Sequence, residues 1–486
     1  MAGLGPEKPH PPGEYPVVVV GSGPGGLQAS YSLSRLGVEH AVISTDDAPG
    51  GMFRLFPIYE RLLSWTKLEA PCPVDSREYE WYDHNSLVAD EPENRGAMRE
   101  FMGRTFMVPS REEMERGLAA FAEGTGLQVR YGCTWESTRR ADDGSLVLTT
   151  TDGEYRCRAA VFALGVTTAW KSPIPGIEHV PHYSEASRDR DVYRGKRVFI
   201  VGKRNSAFEL ADGLEEWASK IVLASPRPVA VLSSVRARYL QPYEDWTLGG
   251  GTVVLDAAIE RIERRADGFQ IVAEGTTRPG RLELETDVVI AATGFTTPLG
   301  DLGKLGVQTV AQGRIPALTN FWESEKGSGI FFAGNATQGA AGLRKHGVGS
   351  ASPAVHGFRY NAQVMARRLA ATHLGVRVSR DKVKREELVS FLLHELTSAP
   401  ELWAQKSYLA RVVWGNGETE IFPLAEWLDR PRPDCVAVAV EENAQGEIYP
   451  AVYVASDGTV REHLLDPQHL HDFRGTEYQR RLAEIL

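Results

Sequence analysis

Val17-Val18-Val19-Val20-Gly21-Ser22-Gly23-Pro24-Gly25-Gly26 is a short apolar run that ends in a glycine-rich turn. The residues that follow, Leu27 to Leu36, predict a helix closed by Gly37, and Ala41-Val42-Ile43 predict the next strand. Strand, glycine turn, helix and strand within about 30 residues make the βαβ unit in which such a turn binds a dinucleotide. There Gly21 permits the tight turn, Gly23 lets a pyrophosphate approach the backbone, and Gly26 lets helix and strand pack closely. Pro24 and Gly25 open the helix, whose N-terminus offers free N–H groups and partial positive charge to phosphates. An acidic residue about 20 positions on is expected to hold a ribose hydroxyl. Asp46 fits by spacing and Ser44 by its place at the strand end, and both stand as candidates.

A second strand and turn lie far downstream, in Val198-Phe199-Ile200-Val201 and Gly202-Lys203-Arg204-Asn205-Ser206-Ala207. Only Gly202 of the glycine pattern survives, but a helix is predicted over Ser206–Leu214 and a strand over Ile221–Ala224. That strand ends without an acid and continues into Ser225-Pro226-Arg227. An acid there would repel a 2′-phosphate, whereas Arg227 can pair with it, and Lys203 and Arg204 add positive charge. NADPH is therefore favoured over NADH. Two separated nucleotide turns imply that one bound cofactor receives electrons from the other, which points to a flavin enzyme fed by a nicotinamide.

With 486 residues the chain is too long for one ordinary core. A formal charge of −10 argues against a nucleic-acid surface. No apolar run approaches the roughly 20 residues that span a bilayer, and Met1 to Tyr15 lacks a signal pattern, so a cytoplasmic protein without a membrane partner is expected. The four cysteines, Cys72, Cys133, Cys157 and Cys435, form no C-x-x-C pair. This argues against a disulfide framework, a zinc site and a redox dithiol. Cys72, between Pro71 and Pro73, reads as an inert thiol.

Taken together, the residues resemble the two-dinucleotide-binding flavoproteins. The motif at Gly21–Gly26, the Gly50-Gly51 pair, Ala163-Leu164-Gly165, Ala292-Thr293-Gly294-Phe295 and Ala333-Gly334-Asn335 stand in that family's order. Within the group, Gly50-Gly51-Met52-Phe53-Arg54 followed by Ser64-Trp65-Thr66-Lys67, and the turn Gly202 to Ala207, are similar to the class B flavin-dependent monooxygenases of microsomal and amino-acid N-hydroxylating type. The resemblance covers about residues 16–371 and implies an α/β fold: a Rossmann-like FAD domain (1–165 and 291–375) with an inserted Rossmann-like NADPH domain (166–290). A small C-terminal α+β appendage (376–486) of unknown role completes the chain. It implies flavin contacts at Gly51, Met52, Gly334 and Asn335, cofactor contacts at Thr293 and Gly294 on the crossing between the domains, and nicotinamide-nucleotide contacts at Gly202, Asn205, Ser206, Ala207 and Arg227. Trp65 stands where microsomal-type enzymes place an Asn, and Lys67 matches a lysine that helps hold an amino-acid substrate, so both are candidates at the reacting centre. Arg344, Lys345 and His346, after the Gly334 turn, are weaker ones.

The implied activity is transfer of one oxygen atom from O2 to a small molecule, with an amine or amino-acid nitrogen as the leading site. FAD and NADPH are the cofactors, no metal is needed, and a homo-oligomer is expected by analogy. The alternatives are an NADPH-dependent flavin reductase or oxidase of the pyridine nucleotide–disulfide reductase type, and a flavin-binding protein without turnover. The remaining expectations are local: residues 1–14 form a mobile arm, 50–108 an irregular aromatic segment, 111–123 a helix after Pro109-Ser110, and 434–440 and 448–455 strands.

Overall fold

The computed structural model describes residues 8–59, 61–103, 107–229, 251–340, 342, 345, 347, 349–456 and 458–486. Arg344 and His346 therefore lie outside the described residues, as do residues 1–7 of the expected arm.

The first sheet has five parallel strands in the order Ile330–Phe332, Ala159–Phe162, Val17–Val20, His40–Ser44 and Arg130–Tyr131. Val17–Val20 is central and buried on both faces, which explains its unbroken valines. The helix Pro24–Arg35 follows it and packs along the helix Val355–His373. Gly37, at φ 67°, ends the first helix in the left-handed conformation expected of it. Helix Arg111–Gly124 opens on a capping box in which Ser110 and Glu113 satisfy one another's backbone N–H groups.

The chain leaves this sheet after Ala163 and enters a second one, in the order Arg281–Thr286, Gly268–Gly275, Thr252–Arg265, Lys220–Ser225, Arg197–Val201 and Val288–Ala291. The last four of these run parallel, with helix Asn205–Leu214 between Arg197–Val201 and Lys220–Ser225. Outgoing and returning chain pair as a two-stranded antiparallel ribbon, Thr168–Ala169 against Phe295–Thr296. His182, fully buried, accompanies this crossing: its Nε2 meets the Gly294 carbonyl at 2.9 Å and its Nδ1 the Ser184 hydroxyl at 2.9 Å. The architecture is the α/β one, with two Rossmann-like units.

Two expectations need correction. From Lys8 onward the N-terminal arm is tied down: Gly13–Glu14 adds a strand to Gly153–Cys157, and the His10 carbonyl accepts from Tyr155 Oη at 2.7 Å. The C-terminal region is also more than a small appendage. It holds a six-stranded antiparallel sheet, of which Asp381–Lys382, Leu409–Val413, Glu418–Pro423 and Thr459–Leu464 were not expected. Within Cys435–Glu442 the alternation is complete. Val436, Val438 and Val440 face the leucines of helix Leu388–Ser398, while Cys435, Ala437 and Ala439 face Trp427 and Tyr453. This sheet is not hung on the outside, since Tyr408 and Leu409 enter the core built on the first sheet.

Candidate functional site

The glycines divide by what each would collide with. A Cβ on Gly21 would overlap the Ala163 carbonyl, one on Gly26 the Gly21 carbonyl, and one on Gly25 the backbone of Gly334. These three are glycine because the protein's own backbone occupies the space. Gly23 differs: its φ of −71° suits any residue, and its Cβ would meet nothing nearer than the Gly51 Cα at 3.5 Å. Nothing in the folded chain requires glycine there, so the need lies in a ligand that approaches the backbone, the role a pyrophosphate plays. The turn therefore fits a dinucleotide. Gly51 (φ 56°) and Gly334 (φ 75°) close in from either side, so that three loops converge on the N-terminus of helix Pro24–Arg35.

The choice between Ser44 and Asp46 dissolves in the structure, because both are present with a third partner. Ser22 Oγ lies 2.8 Å from Ser44 Oγ and 3.2 Å from Asp46 Oδ2, to which Ser44 Oγ is also 3.4 Å away. Ser22 carries no signal of its own in the motif, and its role emerges only when the second strand brings Ser44 beside it. On the far side, Asn335 Nδ2 meets Met52 Sδ at 3.8 Å, so these two flavin candidates share one place. Behind them Thr337, Ser352, Asn361 and Gln405 form a buried chain of side-chain hydrogen bonds from the Gly334 turn to the C-terminal region.

Trp65 faces inward and begins a ladder of rings: its centroid is 4.3 Å from that of His84, which is 4.2 Å from that of His356. Burial, reinforced by Arg359, pushes His84 down to about 4, and burial with His84 beside it holds His356 well below the usual imidazole range, so both are neutral donors or acceptors. His356 stands in the first turn of Val355–His373, and its buried Nδ1 has no hydrogen-bond partner among the described residues. Neither histidine is prefigured by a motif. Lys67 is not part of this ladder. It is exposed, with Nζ 5.5 Å above the Tyr82 ring, because Thr66 takes the inward position and donates to Asp83 at 2.7 Å.

At the second turn Gly202 (φ 134°) admits the Ala292 carbonyl where a Cβ would sit. Asn205 is exposed and Ser206 half-buried in the first turn of helix Asn205–Leu214, in position to offer backbone N–H groups to an anion, while Ala207 is buried behind them. Lys203 departs from its expected role. Its side chain is buried and ion-paired with Asp256, the register neighbour of Ser225, so its charge is spent inside the protein. Arg227 at the strand end and Arg204 before the helix both remain exposed, and of the two Arg227 stands where the strand-end position suits a 2′-phosphate. R227Q should raise the KM for NADPH about tenfold or more while leaving that for NADH unchanged; steady-state kinetics with both nucleotides checks this, and a parallel rise would deny the selectivity. Thr293 Oγ1 donates to the Trp170 carbonyl at 2.6 Å, and Gly294 (φ 105°) lies over Arg314, so both belong to the crossing ribbon.

The two nucleotide turns are joined by the segment after Gly51. Tyr59 packs on Gly213 and donates its N–H to Glu209, and Ile58 donates to Tyr183 Oη at 3.1 Å. Burial pushes Glu209 up to about 7 despite the Tyr59 hydrogen bond. The unfolded carboxyl titrates near 4.5, so this group's contribution is full below that pH and is lost as pH rises to 7. E209Q should exceed the parent in stability by about 1–3 kcal/mol near pH 8 and match it near pH 4.5. Melting curves at the two pH values check this, and a difference independent of pH would remove the carboxyl as its cause.

No metal-binding group of three or more His, Cys, Asp or Glu occurs among the described residues, and no described helix is long and apolar enough to cross a membrane. The four cysteines are free, and burial raises the Cys72 thiol.

Comparison with known proteins agrees with this geometry. The chain is 25% identical over 469 residues to FAD-dependent oxidoreductase domain-containing protein 2 of Danio rerio, an alignment covering 84% of the chain and 66% of that protein. The chain thus spans about two thirds of the length of the curated relative. Among solved structures, bacillithiol disulfide reductase from Staphylococcus aureus superposes with a TM-score of 0.55 at 16% identity, covering 74% of this chain and 98% of that one. A flavin-containing monooxygenase from Stenotrophomonas maltophilia superposes with a TM-score of 0.54 at 20% identity, again over 74% and 98%. At these identities both show a shared fold. The model of the pyridine nucleotide-disulphide oxidoreductases matches residues 18–334, which hold both glycine turns and both crossings. The chain therefore belongs to the pyridine nucleotide-disulphide oxidoreductase family, an FAD-dependent oxidoreductase family with NADP(H)-using relatives.

Proposed function

We propose that the protein is an FAD- and NADPH-dependent monooxygenase acting on a small molecule, with an amine or amino-acid nitrogen as the first class to test. The observation that carries this reading is the absence of any dithiol to take electrons from the flavin. The sequence has no C-x-x-C, all four cysteines are free, and the groups converging beside the Gly334 turn are Met52 and Asn335. When bound, FAD supplies both hydride acceptance from NADPH and the reactivity of its reduced form toward O2. The chain's own part is positional. Gly21, Gly25 and Gly26 set the turn, Gly23 would leave space for the pyrophosphate, and Ser44 and Asp46, hydrogen-bonded to one another, would take the ribose. Gly202, Asn205, Ser206 and Arg227 would hold NADPH, and the stacked Trp65, His84 and His356 rings would form an apolar-faced wall excluding water.

Incubation with NADPH, a panel of amines and amino acids, and 18O2 tests the reading. A product carrying one labelled oxygen, formed in step with NADPH consumption, supports it. NADPH consumption that proceeds under argon with an artificial acceptor, and never labels a product, replaces it with the reductase reading. That reading is favoured by the family match and by the disulfide reductase among the solved neighbours.

A further inference from the structure

Two buried side-chain atoms at the N-terminal end of helix Val355–His373 have no hydrogen-bond partner among the described residues, His356 Nδ1 and Gln405 Oε1. His356 stands in the first turn of that helix, stacked on His84. Gln405 is fully buried. Its Nε2 donates to Ser352 Oγ at 3.2 Å, just before the helix, and to Asn361 Oδ1 at 2.6 Å, within it. Asn361 donates in turn to Thr337, whose hydroxyl donates to the Gly334 carbonyl at 2.6 Å, so Gln405 is tied to the flavin turn. Lys406, the next residue, lies near enough for its charge to act on His356.

A buried polar atom left without a partner costs stability, so the folded chain alone gives no reason for either atom. Gln405 Oε1 can only accept, and Nδ1 of a neutral imidazole accepts when the proton sits on Nε2. Two acceptors call for two donors. The surroundings decide the charge of the group that brings them. Burial, with His84, Arg359 and Lys406, keeps the His356 imidazole uncharged. Of the carboxylates here, Glu442 is paired with Lys406 at 3.3 Å. Asp83, beside His84, is taken up by the Thr66 and Ser86 hydroxyls and the Asn85 and Ser86 N–H groups. Such surroundings disfavour an ammonium as they disfavour an imidazolium. An uncharged primary amino group meets these conditions, since it offers two N–H donors and keeps its lone pair. We propose that His356 and Gln405 hold the substrate as an uncharged primary amine, with its two N–H groups on His356 Nδ1 and Gln405 Oε1. This rests on the oxygenation proposed above and narrows its substrate, because a nitrogen that takes an oxygen atom must present a free lone pair.

The test is binding, without NADPH or turnover. The full-length, FAD-loaded protein is titrated with benzylamine, N-methylbenzylamine and N,N-dimethylbenzylamine at equal free-base concentration, and the flavin difference spectrum is read. Each N–H lost is expected to weaken binding about tenfold. In H356F, benzylamine should bind about tenfold more weakly and no better than N-methylbenzylamine, since one acceptor remains. H356N, which keeps an acceptor near the same place, should restore the difference. H356F should also melt no lower than the parent, because it removes an unpartnered polar atom and no hydrogen bond. Equal binding of the three amines by the parent, a comparison that needs no variant, would overturn the assignment. So would a preference for the primary amine that survives in H356F, or an H356F protein that melts well below the parent. Failure of the amine titration beside 18O labelling of some other nucleophile would sink this assignment and leave the monooxygenase reading standing. Amine binding without any labelled product would do the reverse.

Discussion

Gly23→Ala is expected to leave the chain folded and to strip it of its flavin. The added methyl finds ordinary van der Waals space in the protein, 3.5 Å from the Gly51 Cα, and the backbone at position 23 suits alanine. It would stand where a pyrophosphate must meet the backbone. A loss of FAD affinity on the order of 100-fold, about 3 kcal/mol, follows. The apoprotein should melt as the parent apoprotein does. Gly25→Ala makes the contrast. Its methyl would overlap the Gly334 backbone, which cannot swing aside like a side chain, so both flavin and stability fall. Flavin absorbance per protein and apoprotein melting temperature, measured on both variants, separate the cases. A G23A protein that keeps its flavin would remove that turn as the FAD site.

Arg359→Leu is expected to cost about 3–5 kcal/mol of stability. Arg359 is 1% exposed and donates to the carbonyls of Glu80, Asp83 and Ser86 at 2.7–2.8 Å and to Tyr360 Oη at 2.9 Å. Leucine fills part of the volume but leaves three buried carbonyls unpartnered, each costing about 1–3 kcal/mol. Tyr360 in turn donates to Glu80, whose carboxyl burial pushes up to about 7. The cluster fastens the segment that carries Trp65 and His84 to the helix that carries His356, so the ring ladder should loosen with it. Lysine should rescue little, because a single ammonium cannot reproduce the fork across three carbonyls. Urea unfolding with tryptophan fluorescence measures the loss, and a change under about 1 kcal/mol would deny the cluster its structural role.

These two arginine and glycine sites mark where the chain is readable and where it is not. Gly26 is legible because its reason is local, the Gly21 carbonyl one turn back; Gly21 and Gly23 are legible only as members of the motif, since what they admit, the Ala163 carbonyl and a ligand, lies outside the stretch. Ser44 and Asp46 are half legible, since spacing brings them to the right neighbourhood but only the strand pairing adds Ser22. Arg359 is illegible because its carbonyl partners lie far away in sequence and backbone acceptors leave no residue signature. Lys203 misleads for a related reason. A charge in a sequence shows neither its burial nor Asp256, which the next parallel strand places alongside. The hairpin Leu409–Val413 and Glu418–Pro423 escapes because its strands are short and one carries polar residues, although Gly417 at φ 81° marks its turn.

Because Gly25 meets Gly334 across the whole inserted sheet, the order of synthesis matters. A nascent chain that has just emerged through Phe162 owns four of the five strands of the first sheet and lacks the outer one, Ile330–Phe332. The inserted unit, with its own two cores, can condense while that edge waits open. Flavin capture is thus a late event in the life of each molecule, and the interval before it leaves an unpaired parallel edge exposed to neighbours. Supply of FAD during expression should accordingly govern how much of the protein escapes aggregation, more than it governs the stability of what has already folded.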